Sequence, residues 1–100
     1  MSKREIIYIS GPMSGLPDFN YPAFDDKHHE LFLKGFSVRN PALIPGDDSW
    51  TWQQWMRAAL KLQLEADVVH MLPGWRKSRG ARIERRLALI LGQRVEGAPE

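Results

Sequence analysis

Apolar and polar positions fall in short blocks along the chain. Residues 5–10 (EIIYIS) are β-branched and aromatic and stop at Gly11-Pro12, which predicts a buried strand running into a loop that Gly15, Pro17 and Asp18 prolong. Asn20 is placed to cap a helix over residues 21–34, with Pro22 tolerated in the first turn and Gly35 as the stop. A short strand at 36–39 and a loop rich in Pro, Gly and Asp at 40–49 come next. Thr51 or Ser49 then caps a second helix that runs to about residue 65. Residues 66–72 (ADVVHML) read as a third strand broken by Pro73-Gly74. Ser78 caps a third helix from Arg79 to Leu91, Gly92 ends it, and residues 94–96 form a brief last strand.

Strands alternating with helices imply right-handed crossovers and a small, mainly parallel sheet, so the fold class is α/β. In such sheets ligands bind outside the carboxyl ends of the strands. The loops at 11–18, 41–49 and 73–78 are therefore expected to share one rim.

On a helical wheel the third helix places Glu84 beside Gly80, Ala81, Leu87 and Ala88, while Arg79, Arg82, Arg85 and Arg86 fall largely on the other side. Ile83, Leu87, Ala88, Ile90 and Leu91 are expected to complete the buried stripe. An inward carboxylate must be paired, protonated or aimed into a cleft, because burying it alone is costly. Its small neighbours leave room for a ligand, and the alternative is a packing contact to a buried arginine or hydroxyl. Ser78 and Gly80 sit where free amides and the helix dipole favour an anion, although Ser78 also serves as an ordinary cap. Tyr8 either fills the core or leans toward the rim. Gly11 permits close backbone approach, but the glycine spacing of dinucleotide and P-loop sites is absent. Trp75 either packs or stacks on a base, whereas Trp52 and Trp55 suit packing on the sheet or on another subunit.

Composition narrows the picture further. One hundred residues make one domain, 1–100, with 43% hydrophobic and 26% charged residues, near globular averages. No apolar run approaches the roughly 20 residues that span a bilayer, and the charged opening residues lack a secretory leader, so no membrane is expected and the cytoplasm is the expected location. There is no cysteine, and His28, His29 and His70 lack ligand spacing, so neither a metal nor a cofactor is expected. The net charge is +2, with Arg76, Lys77, Arg79, Arg82, Arg85, Arg86 and Arg94 crowded near the end. That crowding reads as a solvated face beside an anion site rather than a nucleic-acid footprint, because no nucleic-acid module accompanies it. Four tryptophans and a small core favour a homo-oligomer.

The segments YISGPMSGLPDFNYPAF and ADVVHMLPGWRKSRGARIERRLALILG resemble the nucleoside 2-deoxyribosyltransferase-like superfamily. The resemblance runs from about Ile6 to Gly92 and is closest to its small uncharacterised phage and bacterial branch, which is related to the 2'-deoxynucleoside 5'-monophosphate N-glycosidases. It implies a flavodoxin-like or Rossmann-like three-layer sandwich, a small-molecule nucleoside or nucleotide ligand, and cleavage of the N-glycosidic bond by a glutamate that attacks the anomeric carbon. The family's serine, glycine and glutamate fall on Ser78, Gly80 and Glu84, its first-strand tyrosine on Tyr8 and the following glycine on Gly11. A carboxylate nucleophile suits an oxocarbenium-like transition state. Two departures stand out. The family's acid on the second helix falls on Ala59, leaving Asp18, Asp47, Asp48 or His70 as substitutes. The phosphate-binding serine and arginine of the first loop fall on Pro12 and Ser14, which moves any phosphate contact to Arg76, Lys77 and Arg79. A binding protein without turnover, and a nucleic-acid or protein interaction module on the basic last helix, are the competing functions.

Overall fold

The structure is a computed structural model that describes residues 4–99. Its elements follow the predicted order: β1 (Ile6–Ser10), α1 (Tyr21–Leu33), β2 (Ser37–Arg39), α2 (Trp52–Leu64), β3 (Val68–Met71), α3 (Arg79–Leu91) and β4 (Arg94–Gly97), with one-turn 3-10 segments at Pro41–Leu43 and Trp75–Lys77 and a left-handed turn at Pro17–Asn20. The four strands form one wholly parallel sheet in the order β2-β1-β3-β4. The chain thus steps outward in one direction from β1 to β2 and in the other from β3 to β4. All the loops that leave the carboxyl ends of the strands share one edge of the sheet.

Alternation along β1 and β3 divides the core in two. Ile7, Ile9, Val68 and Leu72 pack with Phe24 and Leu31 of α1 on one face. Tyr8, Val69 and Met71 pack with Ala59 of α2 and with Ala81 and Ala88 of α3 on the other. The result is the expected α/β sandwich of three layers, with one helix on one side and two on the other.

Capping chemistry explains the helix starts of α2 and α3. Thr51 accepts from the Gln54 amide while the Gln54 side chain accepts from the Thr51 amide, a complete capping box. Ser78 Oγ accepts from the Ala81 amide at 3.1 Å, and Gly92 closes α3 in the left-handed conformation. Asn20 departs from expectation. It stands before α1 with φ 61° and makes no cap; its side chain instead donates to the Pro12 carbonyl at 3.0 Å, tying the helix start to the first rim loop.

The buried stripe of α3 is narrower than the wheel predicts. Ala81, Glu84 and Ala88 are buried, but Ile83, Ile90 and Leu91 are exposed and Leu87 is only half-buried. The physical reason is close approach: alanines at the contact bring the helix axis near the sheet, so only a thin strip loses water and the bulky flanking residues remain outside.

Candidate functional site

β1 and α3 build one cluster that crosses the middle of the fold. Tyr8 and Ser10, on the same face of β1, both point at α3. Tyr8 donates its phenolic proton to Oε2 of Glu84 at 2.5 Å, and Ser10 Oγ donates to Oε1 at 2.6 Å. Both hydroxyl-bearing residues are fully buried and Glu84 is 6% exposed. Burial pushes the Glu84 carboxyl up to about 7, while the hydrogen bonds from Ser10 and Tyr8 pull the other way. Burial, reinforced by the neighbouring Glu84 charge, holds the Tyr8 phenol well above its usual 10. A carboxylate with two donors and a proton affinity near neutrality can act as nucleophile, base or acid according to small changes in its surroundings.

A third group fixes the same residue from behind. The wholly buried Gln63 of α2 donates from Nε2 to the Glu84 main-chain carbonyl at 2.7 Å and to Gln93 Oε1 at 3.2 Å. Gln93 in turn donates to the carbonyls of Gln63 and Ala66. Glu84 is therefore held through its side chain by the sheet and through its main chain by α2.

The family described as a domain of unknown function (DUF4406) matches residues 5–96. The chain belongs to this family. No curated protein matches it.

Within this DUF4406 domain the remaining predicted residues take varied places. Ser78 starts α3 as a cap, one turn and a half before Glu84. Gly80 faces α2, where a Cβ would meet Met56 Sδ at 3.3 Å, so its small size serves helix packing. Gly11 has a similar reason: a Cβ there would lie 2.8 Å from Leu72 Cβ, and it is this contact that demands glycine. Pro12 and Gly74 approach each other, bringing the first and third rim loops together as expected.

Trp75 is a packing residue in this structure. It is 5% exposed, its indole donates to the Ala98 carbonyl at 3.0 Å, and the Arg85 guanidinium lies 5.0 Å from its ring centroid. Asp18 is exposed in a run of three left-handed residues, Asp18, Phe19 and Asn20, at φ 50°, 51° and 61°. Trp52 carries the Arg79 guanidinium at 4.1 Å over its ring, and Trp55 packs against Trp50 with centroids 4.9 Å apart.

The substitute acids do not gather at Glu84. His70 alternates with Val69 and Met71 and so lies on the α1 face of the sheet, where burial and Lys27 lower its affinity for a proton. Asp47 is exposed and turned back on Ser49, accepting from both its amide and its hydroxyl. Ala59, the residue that stands where the resemblance described above implies an acid, is packed in the core.

Ser10, Gln63 and Gln93 are the members of the cluster that sequence reasoning missed. Among the described residues there is no group of three or more His, Asp or Glu that could hold a metal ion, and no helix is long and apolar enough to cross a membrane.

Proposed function

We propose that this domain binds a deoxynucleoside or deoxynucleoside monophosphate and cleaves or transfers its N-glycosidic bond, with Glu84 as nucleophile. The observation that carries this reading is the buried carboxylate poised near neutrality between Tyr8 and Ser10. In the reaction an Oε of Glu84 forms a bond to the anomeric carbon as the bond from that carbon to the base nitrogen breaks. The base departs with the bonding pair and takes a proton from solvent at the rim. Water or a second base then displaces Glu84 from the sugar, giving hydrolysis or transfer. Tyr8 and Ser10 stabilise the ionised carboxylate before attack, and one of them must yield its oxygen when the sugar enters.

A second reading, nucleotide binding without turnover, draws on two features. Both Glu84 oxygens are already occupied, and Ala59 offers no proton to the leaving base. One experiment separates the two. The protein is incubated with a panel of deoxynucleosides and their monophosphates, with and without a second free base, and released or exchanged bases are resolved by chromatography. Turnover that disappears in Glu84→Gln supports glycosidic chemistry. Ligand binding with no base release over long incubation supports the second reading.

A further inference from the structure

The outer side of α3 carries a cavity of about 500 Å³ lined by Trp75, Arg76, Arg82, Arg85, Arg86 and Leu89. That volume falls within the range of small-molecule sites, roughly 300–1,000 Å³. None of its lining residues is acidic, and Arg76, Arg82 and Arg86 have no ion-pair partner among the described residues. Arg85 stacks toward the Trp75 ring, which forms the floor.

The charge arrangement works against the isolated helix. Arg82 and Arg86 are like charges one turn apart, a spacing at which they repel. A bound polyanion between them replaces that repulsion with attraction to both. The wheel also separates this cavity from the cluster described above: at about 100° per residue, Arg82 and Arg86 point nearly opposite to Glu84. A phosphate held here is thus not the phosphate of a nucleotide at Glu84.

We propose that this cavity, through Arg76, Arg82 and Arg86, is a binding site for a polyphosphate-bearing small molecule, such as the phosphate chain of a nucleoside triphosphate or inorganic polyphosphate. The density of charge decides for this class over a nucleic-acid strand. Arg82 to Arg86 advance only about 6 Å along the helix axis, and Arg76 closes the same concavity from the preceding turn, whereas a strand would need cations spread along a groove. Bidentate guanidinium pairing suits phosphate oxygens in such a cluster.

The test is titration calorimetry of the full chain with inorganic tripolyphosphate, repeated on Arg82→Gln/Arg86→Gln and on Glu84→Gln. The expected result is one site per chain whose affinity falls at least tenfold in the double variant and is unchanged in Glu84→Gln. Both arginines are exposed, and equal unliganded melting temperatures confirm that the double variant is folded. Triphosphate of a nucleoside binding more tightly than tripolyphosphate identifies the nucleotide as the source within the proposed class. Three results overturn the proposal: affinity in the double variant within twofold of the parent, loss of binding in Glu84→Gln, or a single-stranded oligonucleotide that binds far more tightly than either phosphate compound.

Discussion

The main-chain carbonyl of Glu84 accepts a 2.7 Å hydrogen bond from the buried side chain of Gln63, so α2 fixes the backbone of the residue whose carboxylate β1 holds. Gln63 is wholly buried, and its own Oε1 has no partner among the described residues. Replacing it by Ala removes the donor and leaves a gap between the two helices. The expected loss is about 2 kcal/mol of stability, read from urea unfolding. A loss within experimental error would show that Gln93 and packing hold the helix pair without it.

Glu84 gives stability a defined pH dependence. Its carboxyl titrates near 7 when folded, against an ordinary 4.5. The folded state therefore binds the proton more tightly. Its stabilising contribution is complete below the unfolded value and is lost as pH rises through 7, a change of roughly 3 kcal/mol. Glu84→Gln stays neutral throughout. The difference in unfolding free energy between parent and variant should therefore shift by that amount between pH 4.5 and 8, and a constant difference would contradict the raised proton affinity.

Removing either hydroxyl donor should raise the Glu84 proton affinity further, because both bonds favour the ionised form. A hydrogen bond to a charged group is worth about 1.5–3 kcal/mol, which corresponds to about 1–2 pH units. Ser10→Ala and Tyr8→Phe are each expected to move the carboxyl titration upward by about that much, measured by carbon NMR of the labelled carboxylate. A downward movement in both would mean that the hydroxyls accept rather than donate.

Gly11→Ala should destabilise by about 1–3 kcal/mol through overpacking, since the new methyl would press on Leu72 at 2.8 Å. Combining it with Leu72→Gly, which removes the Cβ that the new methyl would strike, should give less loss than the two single changes together. Strict additivity in the cycle would assign the glycine a different role.

Under the proposed function, Ala59→Asp supplies a carboxyl at the position for which the resemblance implies an acid. If glycosidic cleavage is slow for want of that proton, base release should rise by roughly 10²–10⁴ in chromatographic assays. An unchanged rate in a folded variant would locate the proton source elsewhere.

The sequence made the scaffold legible where local chemistry decides it. Ser78 and Gly92 bracket α3 as expected, and the run of strand and helix blocks was sufficient for a parallel sheet. Glu84 was found because helical period alone turns it inward. Ser10 was not, since a serine closing a strand acquires meaning only from what α3 places opposite it, 74 residues later. Gln63 and Gln93 escaped for the same reason: each acts through a contact distant in the chain. The misjudged stripe of Ile83, Ile90 and Leu91 depended on how near the helix comes to the sheet, a distance that Ala81 and Ala88 set and a wheel does not contain. The orientation of Trp75 follows from the Ala98 carbonyl beyond β4, which local sequence does not contain.

The outermost strand β4 places Arg94 in a two-pronged contact with Glu5 at 2.8 and 2.9 Å and, at 3.9 Å, beside Glu96. Directly after them Gly97 turns at φ 101°, where a Cβ would collide with the Met71 carbonyl 2.4 Å away. A short ribbon edge covered with charge and ended by an obligatory glycine is a poor template for another chain's backbone. Growth of the sheet by strand addition is disfavoured on that side.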